Sequence, residues 1–317
     1  MITEKHNQYK KEFYFKSSDM QSEIHGICWM PSTEVKAVIQ IVHGIAEYAE
    51  RYENFALYLN KQGYAVLAHD HKGHGKSVSS HEPKLYFGEK GSWWYAVKDV
   101  CILQQLAREQ FGNVPYFMFG HSMGSFIMRS YLIKNVSDMD GCILCGTGYP
   151  SKIEVHAGQA VVYLTSLVKG SKAYSPLVDR LIFGGFNKKF KNPTSKVEWL
   201  SKNQDNKNAY LHDTMCGGNV SIGLFRELLY GSSYCTNMKN IEQMNKNIPV
   251  YLISGADDPV GNMSKGVQKT YDAFKKVGMK DVNIQLYPGL RHEILNEEEN
   301  QIVYEDILNW IQNHMKA

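Results

Sequence analysis

Short apolar runs alternate along the chain with longer amphipathic stretches. Runs rich in β-branched and aromatic residues predict strands over Glu12–Lys16, Ile24–Trp29 and Ala37–Val42. Helix and strand patterns then take turns: helix Arg51–Gln62, strand Ala65–His69, helix Ser92–Phe111, strand Tyr116–Phe119, helix Ser125–Lys134, strand Gly141–Cys145. The rhythm returns with strand Val250–Ser254, helix Ser264–Val277, strand Val282–Tyr287 and helix Glu297–His314. Strands separated by helices imply an α/β chain with a mostly parallel sheet covered on both faces. The first three strands have no helices between them and are expected to form an antiparallel edge.

Residues 147–236 break this rhythm. Ala157, Ala160, Val161, Leu164, Leu167 and Val168 fall at helical spacing within Val155–Val168. Gly184-Gly185 and Gly217-Gly218 punctuate turns, and no strand pattern stands out. This predicts a core built from residues 1–146 and 237–317, with residues 147–236 inserted as a helical cap. Loops at the carboxyl ends of parallel strands surround the ligand site in such folds. An insertion there would lie over that site.

Composition narrows the function classes. The 317 residues are 43% hydrophobic and 21% charged, ample material for a core. Lys+Arg 35 against Asp+Glu 32 leaves +3, too little charge to make nucleic acid the main partner. No run of about 18 apolar residues is present, so no helix is expected to span a membrane. The polar start MITEKHNQYKKEFYF lacks the apolar stretch of a secretory signal, and the expected location is the cytoplasm. Six cysteines are scattered without a disulfide framework. Cys142 and Cys145 form a CxxC within GCILCG, which reads as a strand. Positions i and i+3 of a strand point to opposite faces, so two buried small hydrophobes are expected rather than a zinc or redox pair.

The strongest chemical signal is Gly120-His121-Ser122-Met123-Gly124, between an apolar strand and a helical run. In that context G-x-S-x-G is a nucleophile elbow, a turn so sharp that a side chain at either glycine would collide with its neighbours. It lifts the Ser122 hydroxyl to the head of a helix. A serine hydroxyl needs a base to take its proton, and base and acid are expected later in the chain. His292 follows the last predicted strand. Asp257 and Asp258, in Ser254-Gly255-Ala256-Asp257-Asp258-Pro259-Val260, follow the strand before it, and the residues alone do not choose between them. Backbone N–H groups of Met123 and of Ile45, in His43-Gly44-Ile45-Ala46-Glu47, are the expected oxyanion donors. His69-Asp70-His71-Lys72-Gly73-His74-Gly75 has metal-like composition, but it ends a strand and enters a glycine-rich turn, which favours a structural loop.

Together these segments resemble the α/β-hydrolase superfamily, and within it the monoacylglycerol lipase and lysophospholipase group. The pieces that carry the resemblance are His43-Gly44-Ile45-Ala46-Glu47 with Arg51-Tyr52, Asp70-His71-Lys72-Gly73-His74-Gly75-Lys76-Ser77, the Gly120–Gly124 elbow, Gly255-Ala256-Asp257-Asp258-Pro259-Val260 and His292-Glu293. The resemblance implies an α/β-hydrolase fold with Ser122 as nucleophile, His292 as base, Asp258 as acid, and Ile45 and Met123 N–H as oxyanion hole. Two positions depart from the group: Ala46 stands where a glycine is usual, and Lys72 where arginine is usual. The implied activity is hydrolysis of carboxylic esters, those of monoacylglycerols or lysophospholipids first and small esters as an alternative, with no cofactor and no metal. An aminopeptidase of the same fold and a non-catalytic ligand-binding protein are the alternatives. Apolar cap residues would permit transient contact with a membrane surface, although no basic amphipathic helix adds to that expectation.

Overall fold

The computed structural model describes residues 9–134 and 138–315. Residues 1–8, which carry the first half of the polar start, lie outside the described residues. Eight strands form one sheet: β1 (Lys10–Lys16), β2 (Glu23–Trp29), β3 (Ala37–Val42), β4 (Tyr64–His69), β5 (Tyr116–His121), β6 (Gly141–Cys145), β7 (Val250–Gly255) and β8 (Val282–Tyr287). Their order is β1-β2-β4-β3-β5-β6-β7-β8. β2 runs antiparallel to both β1 and β4, and every other pairing is parallel.

The expected antiparallel edge therefore holds for β1 and β2 but not for β3, which lies inside the sheet, parallel to β4 and β5. The reason is visible in composition. β3 reads AVIQIV and is buried along its whole length, as an interior parallel strand must be. β1 reads KKEFYFK and alternates between covered and exposed positions.

The helices are α1 (Glu53–Asn60), α2 (Trp93–Phe111), α3 (Met123–Ile133), α4 (Lys152–Lys169), α5 (Pro176–Ile182), α6 (Gln204–His212), α7 (Ile222–Thr236), α8 (Met238–Ile241), α9 (Lys265–Lys276) and α10 (Asn300–His314). The sheet separates two apolar layers. Val38, Val42, Met118, Cys142 and Leu144 face α2, α3, α7 and α9. Ile39, Ile41, Phe117, Phe119, Ile143 and Cys145 face α1 and α10. This is the period of two expected of strands buried on both sides. It also settles Cys142 and Cys145, which are free, buried and on opposite faces.

The helix expected at Val155–Val168 is α4, opened by a Ser151–Glu154 capping box. Between β6 and β7, α7 packs on α3 and α2. Gly231 brings it against Trp93, where a Cβ would sit 2.2 Å from the indole. Among the described residues, no helix is long and apolar enough to cross a membrane.

Candidate active site

Four parallel strands, β3, β5, β7 and β8, deliver the candidate groups from their carboxyl ends. β5 ends at His121 and α3 begins at Met123, so Ser122 alone makes the turn, with φ 52° and ψ −119°. That left-handed conformation is strained for a residue with a side chain. The flanking glycines are sterically required. A Cβ at Gly124 would lie 2.0 Å from the Val42 carbonyl oxygen, and one at Gly120 would lie 2.7 Å from that of Gly124. The collisions expected of the elbow are thus present. Met123 N–H heads α3, where no intrahelical acceptor exists.

The loop after β3 runs beside the elbow, and a Cβ at Gly44 would be 3.0 Å from Ser122 Cβ. Its peptides are fixed in turn. The His71 amide donates to His43 Nε2 at 2.9 Å, so His43 Nδ1 carries the ring proton and donates to the Gly44 carbonyl at 2.7 Å. That carbonyl shares its peptide with the Ile45 N–H. Among the described residues, neither the Ile45 nor the Met123 amide donates to another protein group.

β7 and β8 bring acid and base together. Gly255 passes so close under the following loop that a Cβ would sit 2.1 Å from the Arg291 carbonyl oxygen. Asp258 is fully buried, and its Oδ2 lies 2.9 Å from His292 Nδ1. Ser254 Oγ donates to Oδ2 at 3.2 Å and the Val260 amide to Oδ1 at 2.8 Å. Asp257 stands half-buried with its amide on the Leu290 carbonyl, and its carboxylate does not join His292. The His292 ring sits between His121, at 4.7 Å, and Trp199, at 5.1 Å. Gly146 makes room for it, since a Cβ there would lie 3.0 Å from His292 Cε1. The structure joins Asp258 to His292 and sets Ser122 at the end of β5, one strand (β6) away from β7. No hydrogen bond links the Ser122 hydroxyl to His292 among the described residues. Such bonds are often loose in ligand-free serine enzymes.

A buried network of charges missed in the sequence ties these loops together. Glu47 Oε1 accepts from the Gly44 amide at 2.6 Å, Tyr52 OH at 2.9 Å and His121 Nδ1 at 2.8 Å. His121 Nε2 faces the His292 carbonyl at 3.3 Å, so both ring nitrogens meet acceptors and the ring is cationic. Arg51 forks onto Glu293 at 2.6 and 2.8 Å and reaches Glu47 at 3.2 Å. Burial opposes ionisation of Glu47, but the facing His121 and Arg51 outweigh it and hold the carboxyl well below its usual range. Burial likewise lowers His121, and Glu47 more than restores it, leaving the ring raised. Two anions and two cations thus balance. The signal was present in the motifs Glu47-x-x-x-Arg51-Tyr52 and His292-Glu293, but nothing in their spacing shows that they meet.

The histidine-rich turn is packed into the fold. His43, His69, His71 and His74 are buried, and the Asp70 carboxylate is taken by His25 Nδ1 and the amides of Ala49 and Lys76. Among the described residues, no group of three His, Cys, Asp or Glu side chains is arranged to hold a metal ion. Lys72, at the arginine position, pairs with Asp19 at 3.0 Å and Glu82 at 3.1 Å through one ammonium.

An eight-stranded, mostly parallel sheet that presents a serine elbow beside an Asp–His pair defines a serine hydrolase of the α/β-hydrolase fold, of the esterase and lipase kind. The chain belongs to the serine aminopeptidase, S33 family (Hydrolase_4), whose pattern matches residues 33–299. It is similar to the monoacylglycerol lipase of Mycolicibacterium smegmatis, 26% identical over 290 residues that cover 90% of this chain and 92% of that protein. It is also similar to the monoglyceride lipase of Rattus norvegicus, 24% identical over 296 residues, 90% of this chain and 86% of that one. A highly thermostable carboxyl esterase from Bacillus coagulans in complex with glycerol superposes with a TM-score of 0.89 at 28% identity, covering 96% of this chain and 98% of that one. The kinship expected with α/β-hydrolases of the monoacylglycerol lipase kind is borne out.

Proposed function

We propose that this chain hydrolyses carboxylic esters of monoacyl lipids, either monoacylglycerols or lysophospholipids, through Ser122, His292 and Asp258. His292 takes the Ser122 proton as Oγ attacks the ester carbonyl. Asp258 holds the proton on Nδ1 and stabilises the imidazolium. Ile45 and Met123 N–H receive the oxyanion, each worth about 3 kcal/mol in the transition state. His292 then protonates the departing alcohol, and water repeats the sequence to release the acid. Every step is carried by groups of this chain. The observation that carries the reading is the buried 2.9 Å contact of Asp258 with His292, delivered after β7 and β8 at the same sheet end as a strained serine turn.

The lipid substrate is supported by the named relatives and by the helices between β6 and β7. We take residues 147–236 as the cap over a core of residues 1–146 and 237–317. On α4 and α5, Ile153, Leu164, Leu167, Val168 and Leu177 are more than 60% exposed. A stripe of this kind suits an acyl chain or transient contact with a membrane surface. The six free cysteines fit a reducing compartment, and we place the protein in the cytoplasm.

The family's description makes aminopeptidase activity the rival. An aminopeptidase needs a carboxylate free to meet the substrate amine. Four cap acids are committed elsewhere: Glu154 caps α4, Glu198 binds Arg291 and Lys207, Asp213 binds Tyr48, and Glu227 holds the start of α2. The test combines Ser122→Ala with a chain-length series of p-nitrophenyl esters and an aminoacyl naphthylamide. The expected outcome is loss of about six orders of magnitude in turnover for the variant, with medium or long acyl esters preferred. Near-normal esterase activity in Ser122→Ala overturns the mechanism. Preference for acetate over all longer chains, or for the naphthylamide, overturns the lipid substrate.

A further inference from the structure

Ala46 lies in the oxyanion loop with φ 58°, a left-handed conformation that side-chain-bearing residues rarely adopt. It stands between Ile45, the proposed donor, and Glu47, whose carboxylate fixes the Gly44 amide. Nothing within the loop itself holds the Ala46 carbonyl. Two groups from the far side of the chain do: the Gly217 amide donates to it at 2.8 Å and Tyr210 OH at 3.2 Å.

The tyrosine lies near the end of α6 and Gly217 in the segment that joins α6 to α7, and that segment is itself anchored beside the loop. Tyr48 OH donates to Asp213 Oδ2 at 2.7 Å, and the Met215 amide to Asp213 Oδ1 at 2.8 Å. The Arg51 guanidinium lies 5.0 Å above the Tyr210 ring, which positions the hydroxyl. Gly217, at φ 64°, turns its amide toward Ala46.

Resting on the serine-hydrolase reading, we propose that Tyr210 is a positioning residue which, with the Gly217 amide, holds Ala46 left-handed and so keeps the Ile45 N–H aimed at the oxyanion. The cap is then part of the catalytic apparatus: docking of the α6–α7 segment completes the oxyanion hole, and its departure lets Ala46 relax and turns the donor away. A residue acting in this way affects the transition state, where the oxyanion forms, more than the bound ester.

The test is a double-mutant cycle on esterase activity. Tyr210→Phe removes only the hydroxyl and keeps the ring under Arg51. Ala46→Gly removes the conformational strain the clamp opposes, because glycine enters the left-handed region freely. Tyr210→Phe is expected to lower kcat three- to tenfold with KM changed less than twofold. In the Ala46→Gly background the same substitution is expected to cost less than twofold. Equal losses in both backgrounds, an effect confined to KM, or no effect on kcat would each overturn the proposal. Thermal unfolding of each variant checks that the fold is retained, and rescue by Ala46→Gly is a response that a merely structural tyrosine does not give. Ser122→Ala, run alongside with a fluorophosphonate label, keeps the two levels apart. If it remains active, the serine-hydrolase reading fails; if it is silent while Tyr210 and Ala46 act independently, only this inference fails.

Discussion

Two adjacent aspartates with the same charge and the same strand before them part company over a few ångströms of backbone. The Asp257 amide is spent on the Leu290 carbonyl and its side chain stays half-exposed, whereas Asp258 is buried with His292, Ser254 and the Val260 amide around it. Asp258→Asn should therefore lower kcat by about 10⁴-fold, as the equivalent change does where an asparagine imposes the wrong histidine tautomer. Asp257→Asn should change it less than about threefold, in line with exposed substitutions. Steady-state ester hydrolysis by the two variants decides the matter; equal losses would remove Asp258 from the acid's place. At this scale the chain's order pointed to the segments that bring Ser122, Asp258 and His292 to the carboxyl end of the sheet, because strand ends are readable. It did not show which carboxylate turns inward, nor that Glu47, Arg51, His121 and Glu293 converge, since contacts across 242 positions leave no local trace.

Elements whose faces are apolar at a regular period were legible, and those without such a face were not. β6 was read at its observed bounds and α2 to within one residue. α6 went unseen because QDNKNAYLH has no apolar stripe and buries only Lys207, which pairs with Glu198. β3 was placed in the wrong neighbourhood because an edge and an interior strand differ in what covers them, and only its unbroken run of buried residues hints at this. The contact of β3 with α3 is where the elbow and the loop after β3 meet, and glycine sets its distance. Gly124→Ala would push a methyl to 2.0 Å from one backbone oxygen and 2.7 Å from another, and backbone cannot swing aside as a side chain does. We expect a loss of about 3 kcal/mol in urea unfolding, with esterase activity falling further than stability. Among the described residues Gly185→Ala meets nothing within 4 Å, and it should stay within about 0.5 kcal/mol of the parent. If the two alanines were equally mild, close packing at the elbow would not be what requires Gly124.

Across the whole molecule, buried imidazoles make stability depend on pH in a direction that can be worked out. Burial holds His69 and His74 down at about 3, against an ordinary 6.5, and neighbouring His43 adds to the effect; His71 is lowered for the same reasons. A base with a depressed value in the folded state binds fewer protons there than when unfolded. Stability should therefore fall as pH drops from 6.5 toward 3. Glu198, held near 2 because Arg291 and Lys207 outweigh its burial, works in the same direction once pH passes below the ordinary carboxylate range. His25 and His121, raised by their carboxylate partners, act oppositely: their contribution is complete below 6.5 and fades as pH climbs through their raised values. His69 isolates the first effect, because among the described residues neither of its ring nitrogens has a hydrogen-bond partner. His69→Leu removes an unpaired buried polar group and should stabilise by roughly 1–3 kcal/mol at pH 7.5. At pH 5 the gain should grow by about 2 kcal/mol, because the parent alone must hold an imidazole neutral 1.5 pH units below its ordinary value. Urea unfolding of parent and variant at the two pH values measures both quantities. A gain that is the same at pH 5 and 7.5 would mean that His69 titrates alike in folded and unfolded chains, and that the acid sensitivity resides elsewhere.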